Sequence, residues 1–402
     1  MDRVKLQLKD ICKYITDGKH GDCTNEKNSG YYFISAKDVE GGCINYENAR
    51  QITEQDFFDA HKRTRYEALD VIISNSGTLG RMAVARNDDF TKRTTFQKSV
   101  AILKPDQSIV DAYFLYYAII HDLEQLVSLG SGTAQKNLLL KDIRGFELQI
   151  PSLPIQRRIA SILSAYDDLI ENNLRRIKLL EEAAKCEYKM MMGEDSILEH
   201  TTLGEILTLN YGKSLKADTR TPGQFPVYGS SGVVGTHKDY IVNGPGLILG
   251  RKGNVGSVFW SFLPFYPIDT VYYITSNVSL YFLYHNLKYD QHFDNSDAAV
   301  PGLNRNHALS NPISLPNNNA IQAFDEKCML LFSMLHNLFN QNSQLRQARG
   351  ILLPKLMSGE IEVAGDNSAS TIIEMPSKEM MAAEAEAVYV KPKEQKRQPT
   401  VN

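Results

Sequence analysis

Apolar positions in two stretches of the chain recur at alternating steps of three and four. From Ile321 the series runs Phe324, Cys328, Leu331, Leu335, Leu338, Leu345, Leu352 and Leu356, with Asn342 and Arg349 filling the two remaining steps. From Ile155 it runs Ile159, Ile162, Tyr166, Leu169, Asn173, Ile177, Leu180, Ala184 and Tyr188, with one skip. An alternation sustained this long predicts a heptad seam rather than a general amphipathic face. Each series has an asparagine near its middle, and a buried Asn lowers stability while fixing register. Two seams in one chain pack most economically on each other, antiparallel, and a helix of ~35 residues spans ~50 Å. The alternative is that each helix packs back on its own domain. The pairing candidates are Ile159, Ile162, Tyr166, Asn173, Leu331, Leu335, Leu338, Asn342 and Leu345.

Elsewhere helical periodicity is poor. YYFISA, DVIIS, RMAVA, SVAIL, LILG, SVFW and TVYYI are short β-rich runs bounded by Gly, Asn, Asp or Pro, which predicts an α+β fold. Beyond about Gly365 the chain is polar, Pro-containing and aperiodic, which predicts a disordered tail with at most a short helix near 378–388.

The pattern also repeats. DVIISNSGTLGRMAV (70–84) and GLILGRKGNVGSVFW (246–260) share an apolar strand, a Gly-x-x-Gly turn and another apolar run, with Gly77 and Gly80 matching Gly253 and Gly256 at an offset of 176. LKDICKYITDGK answers LGEILTLNYGK, GYYFIS answers GQFPVYGSS, YFLYY answers YFLYH, and ELQIPSLP answers NPISLP. The offsets fall from about 195 to 165 without reversing, so the fold is built twice, with shorter loops in the second copy. The predicted layout is a domain over 1–150, a helix over 151–194, a second domain over 195–314, a second helix over 315–363 and the tail over 364–402.

Composition adds limits. A chain of 402 residues favours two or three domains, and no stretch approaches the ~20 apolar residues of a membrane span. MDRVKLQLKD lacks the apolar core of a secretory signal, and five scattered cysteines without a Cys-x-x-Cys pair suit a reducing cytoplasm. The formal net charge of −3 gives no global basic signature. Between His61 and Lys104, however, nine Lys or Arg face four acids, enough for a local phosphate-facing patch or a solvated surface.

Catalytic motifs are missing. YGKS at 211–214 ends like a phosphate-binding loop, but Leu207 stands where that motif needs glycine. GRKGNVG lacks dinucleotide-loop spacing, and EYK at 187–189 lies in a helix without an acidic partner set. Nine scattered histidines form no His-x-x-x-His pair, so neither a catalytic constellation nor a metal site is expected. The Gly-x-x-Gly loops therefore read as shared structural turns rather than phosphate cradles.

With those residues in view, the chain resembles the specificity subunits of type I restriction–modification systems over roughly 1–363. LPIQRRIASILSAYDDLIENNLRRIKLLEEAAKCEYKMMMGE (153–194) is similar to the family's central spacer helix, ILLPKLMSGEIEV (351–363) to its C-terminal counterpart, and VYGSSGVVG with GLILGRKGNVGSVFW to its second target-recognition domain. LPNNNAIQAF departs from the family in lacking the usual charged start of the second helix, and the long tail is a second departure. The resemblance implies a fold of two similar globular target-recognition domains separated by a pair of long antiparallel coiled-coil helices. It implies a non-catalytic reader of double-stranded DNA, each domain taking half of a split target. Two modification (methyltransferase) subunits would dock on the helices and hold S-adenosylmethionine, this chain binding no cofactor. Restriction subunits would join them, in the cytoplasm and away from any membrane. The candidate DNA contacts are Lys19, Lys62, Arg63, Arg65, Arg81, Lys92, Arg93, Lys213, Lys216, Lys238, Arg251, Lys252 and Asn254. Rival readings are a duplicated-domain protein-binding scaffold without DNA specificity, which salt-dependent DNA affinity would exclude, and a stand-alone nuclease.

Overall fold

The structure is a computed structural model that describes residues 3–132, 136–193, 199–293 and 302–363. The tail expected over 364–402 lies outside the described residues. The chain divides into two compact units, one drawn from Met1–Ser164 with Leu352–Asn402, the other from Ala165–Ile351.

The first unit is built on a four-stranded antiparallel sheet in the spatial order Cys12–Asp17, Val100–Pro105, Val71–Ser74, Met82–Val84. The second repeats that order with Leu207–Tyr211, Val271–Ser276, Gly246–Gly250, Val258–Ser261. Each unit adds a short parallel pair, Tyr32–Ile34 with Thr94–Phe96 in the first and Phe225–Gly229 with Tyr266–Pro267 in the second. Each also pairs its first strand antiparallel with its last, Val4–Gln7 with Glu147–Ile150 and Glu199–Thr202 with Pro312–Leu315. Five matching strand pairings in the same chain order make the duplication a matter of topology.

The central strands are apolar on both faces because both faces are covered. Val71 and Ile73 point into a core with Phe114 and Leu115, while Ile72 between them joins Tyr66 and Phe96. Leu247 and Leu249 likewise join Phe282, and Ile248 joins Tyr228 and Phe265. The covering helices, Ala112–His121 and Leu280–Tyr289, start alike, since the Asp111 and Ser279 side chains accept from the N–H of Phe114 and Phe282. Among the described residues, helices Glu54–Thr64 and Leu123–Ser128 are found in the first unit only, and the hairpin strand Gly232–His237 in the second only.

Two 41-residue helices, Leu153–Gly193 and Asn318–Ser358, follow the two copies. Within the second unit they run antiparallel, because Asp167 meets Arg349, Asn173 meets Asn342 and Glu187 meets Lys327. Ile170, Asn173, Ile177, Ala184 and Tyr188 are buried on one helix, and Phe324, Cys328, Leu335, Leu338 and Asn342 on the other. Leu331 and Leu345 are half-buried there, as is Tyr166. Within the first unit, Ile159 and Leu163 share a core with Leu356 and Met357, and half-buried Ile162 packs against it.

One step of the sequence reading shifts. Leu169 is 42% exposed and Ile170 only 7%. The alternation starts one turn into the helix at Gln156 and passes through Ile159, Leu163, Tyr166, Ile170 and Asn173, so Leu163 and Ile170 take the places given to Ile162 and Leu169. Gln156 is buried because it ties the helix down: its Nε2 donates to the carbonyls of Pro151 and Ile109 at 2.9 and 3.0 Å, and its Oε1 accepts from Asp111 N–H at 2.8 Å.

Candidate nucleic-acid interface

The two Gly-x-x-Gly turns are the same object twice. Gly77 and Gly80 have φ of 80° and 82°, and Gly253 and Gly256 both have 78°, left-handed values that glycine adopts without cost from a Cβ. Gly80 N–H donates to Ser74 O at 2.9 Å, and Gly256 N–H to Gly250 O at 3.0 Å. Ser74 N–H donates to Arg81 O at 2.8 Å, and Gly250 N–H to Ser257 O at 2.7 Å. These amides close the turn on itself and so are not held out for an anion. Each turn is also pinned by a later segment, through Leu138 N–H to Asn75 O at 2.9 Å and Leu303 N–H to Arg251 O at 2.8 Å.

Most of the basic side chains singled out in the first unit have local partners. Lys19 donates to Asp59 at 2.9 Å and lies 3.7 Å from Asp56. Its ammonium holds the Asp59 carboxyl below the usual carboxylate range. Arg63 pairs with buried Asp17, which His20 also contacts at 2.8 Å. Burial raises the Asp17 carboxyl, but the hydrogen bonds from Arg63 and His20 outweigh it and leave the group lowered. Arg81 donates to the carbonyls of Lys37 and Val39 at 3.1 and 3.3 Å, which ties the turn to the neighbouring Ala36–Asp38 turn of helix. Lys92 pairs with Asp89 at 2.8 Å, while Lys62, Arg65 and Arg93 are exposed. Arg65 adopts a left-handed φ of 45° where helix Glu54–Thr64 ends. Sequence reading missed Arg50, which bonds Asp22 at 2.6 Å and stands 5.4 Å over Phe33. With Lys19 and Lys98 it lines a cleft of about 260 Å³.

In the second unit Lys213, Lys216 and Lys238 are exposed and Lys252 half-buried. Asn254 Nδ2 donates to Ser231 Oγ at 3.3 Å, and Ser257 Oγ to Ser230 O at 2.7 Å, which stitches the turn to the adjoining hairpin. Arg251 is the most constrained of these cations. Its Nη1 donates to Asp269 O at 3.2 Å, and its guanidinium stands 4.8 Å over the Tyr211 ring and 5.7 Å over Tyr272. Burial pushes the Tyr272 hydroxyl up to about 12. Arg305, which sequence reading missed, also stands over Tyr211, at 5.7 Å. Position 305 lies far from 211 and 251 in sequence, and a single Arg in LNRNH carries no local signal.

Among the described residues no three His, Cys, Asp or Glu side chains converge where they could hold a metal ion. No helix among them is long and apolar enough to cross a membrane.

Comparison with known proteins places this arrangement. Residues 2–182 and 198–328 match the family described as Type I restriction modification DNA specificity domain. A Mycoplasma pneumoniae protein named as a type I specificity subunit is 34% identical over 193 residues, 43% of this chain and 48% of that protein, so the match spans about half the relative's length. The MjaIX specificity subunit of Methanocaldococcus jannaschii is 22% identical over 384 residues, 82% of this chain and 87% of its own. The crystal structure of the S subunit of a type I restriction-modification system from M. genitalium aligns with a TM-score of 0.58 at 19% identity, over 88% of this chain and 96% of that one, a likeness of fold. With the family matched twice in sequence, once on each copy of the duplicated fold, the chain belongs to the type I restriction–modification DNA specificity family.

Proposed function

We propose that the chain is the non-catalytic, DNA-reading subunit of a cytoplasmic type I restriction–modification complex. Each unit reads one half of a bipartite duplex target, and the paired helices set the gap between the halves. Two modification subunits, which hold S-adenosylmethionine, dock on the helices, and restriction subunits join them. The observation that carries this reading is the repeated strand order combined with unlike side chains on equivalent turns: one scaffold offered twice, with different surfaces. A protein that reads a two-part asymmetric sequence needs that combination, because phosphate contacts position a module whereas base contacts give it specificity.

The test is a methylation map of a host with and without the gene, followed by exchange of residues 20–130 for the same region of a relative. The expected result is a split motif that vanishes with the gene, and whose one half alone changes on exchange. A motif that survives deletion, or an exchange that alters both halves, refutes the proposal. Binding of the chain to protein partners with no salt-dependent DNA affinity would favour a scaffold instead.

A further inference from the structure

Backbone hydrogen bonds set the two copies in register around the turn. Gly18 N–H donates to Val100 O at 3.0 Å and Gly212 N–H to Val271 O at 3.2 Å. Asn75 O accepts from Leu138, and Arg251 O from Leu303. The matched positions are therefore Asp17 with Tyr211, Asn75 with Arg251, and Leu140 with Arg305, two residues beyond Leu138 and Leu303 respectively. In the first unit these three form no cationic group, and Asp17 is turned to Arg63 and His20. In the second, two guanidiniums stand over one tyrosine ring that is 50% exposed.

This difference bears on what the group contacts. Any B-form duplex presents the same phosphate geometry to both units, so backbone contacts suit features the copies share. A cationic group built into one copy only suits what differs between half-sites, the bases. The guanidiniums are also held rather than loose. Arg251 is fixed by Asp269 O and two rings, and the Nε of Arg305 is shut off from solvent with no acceptor among the described residues. A planar fork fixed in place matches the O6 and N7 acceptors of guanine.

We propose that Arg251 and Arg305, seated on Tyr211, read guanine in the half-site of the second unit. This rests on the chain being a DNA reader. The experiment selects bound duplexes from a library randomised over both half-sites, using the full chain assembled with its modification subunits. Arg251→Ala, Arg305→Ala, Arg305→Lys and Arg305→Met are compared with the unaltered chain, the last because it keeps the stem that packs on the ring. Loss of preference for guanine at one or two positions of the second half-site, by roughly 5- to 150-fold, is expected for both Ala variants and for Met. Lys is expected to restore charge without restoring the preference, and the first half-site should be selected as before.

Four results overturn the proposal. They are a second half-site without guanine, no change in any variant, an equal loss across all sequences with a salt slope lower by about one (a phosphate contact), and loss of both half-sites in Arg305→Met. If the unaltered chain enriches no sequence at all, the DNA-reading function itself fails, which is a distinguishable outcome.

Discussion

Replacing Asn342 by leucine tests whether the two long helices pair through the register described. Asn342 is 1% exposed and Asn173 7%. Asn173 Nδ2 donates to Asn342 Oδ1 at 3.0 Å and lies 3.3 Å from Gln341 Oε1, and Asn342 Nδ2 reaches Ile170 O at 3.5 Å. Asn342→Leu leaves the Asn173 amide facing an apolar group, with only the longer Gln341 contact. A buried donor that loses its partner costs ~1–3 kcal/mol, and because Gln341 partly substitutes, about 1–2 kcal/mol is expected. Asn173→Leu strands Asn342 similarly. Changing both removes both desolvation terms, and an apolar pair of like volume is neutral or stabilising. The double variant should thus be at least as stable as the parent, a favourable coupling of about 2–4 kcal/mol when the two single losses are summed. Because a chain of two units need not unfold in one step, the assay is native-state hydrogen exchange at amides 166–180 and 335–349. Additive losses in the double variant would mean that the asparagines do not face each other. Silent single variants would mean that both are solvated.

Gly80→Ala and Gly256→Ala place a Cβ on left-handed backbone and bring it to 3.0 Å from the Leu123 and Phe293 side chains. Each should cost about 1–2 kcal/mol in its own unit, read as a lowered melting transition, and an unchanged transition would refute the turn geometry. Leu335→Asp with Leu338→Asp puts two charges into a seam where both residues are 3% exposed, which should abolish helix pairing and assembly with partner subunits. Wild-type affinity of that variant for a bipartite site would contradict it. Burial pushes the Asp70 carboxyl up to about 6 despite Lys104 at 2.7 Å. Below that value the folded state holds a proton that the unfolded chain, titrating near ~4, has released. Stability should therefore fall as pH rises from about 4 to 6, and Asp70→Asn should remove that slope in urea midpoints. The opposite slope would show that the ion pair outweighs burial.

The heptad seams were legible because steric spacing alone dictates them. Ile162 and Leu169 were placed one position off because adjacent apolar residues, Ile162–Leu163 and Leu169–Ile170, satisfy the same spacing until the partner surface chooses between them. The Gly-x-x-Gly turns were legible as a repeat, and their structural role follows from glycine conformation. Arg81 was not legible as a clasp on Lys37 and Val39, because carbonyl acceptors leave no mark in composition. The charge excess between His61 and Lys104 overstated the free positive surface, since Arg63 meets Asp17 from outside the counted window while Lys92 and Lys104 pair with Asp89 and Asp70 inside it. Tyr211 with Arg305 was hidden for the same reason that any tertiary cluster is: its members share no sequence neighbourhood.

The first unit takes Leu356 and Met357 into the same core as Leu8, Phe114 and Ile159, so its interior is completed by residues near the far end of the chain. The second unit is contiguous in sequence. During synthesis the usual order is therefore inverted. Val4–Gln7 can pair with Glu147–Ile150 once that strand emerges, yet the core beside it stays open until some 200 further residues are made, roughly 10–40 s at ordinary elongation rates. Over that interval the later-made unit can close first, and a ribosome that stalls just after Ile351 would release a chain whose second unit is whole and whose first lacks Leu356 and Met357 from its core. Such a product would be a substrate for chaperones and proteases, and the cell would keep only chains that had been read to the end of the last helix.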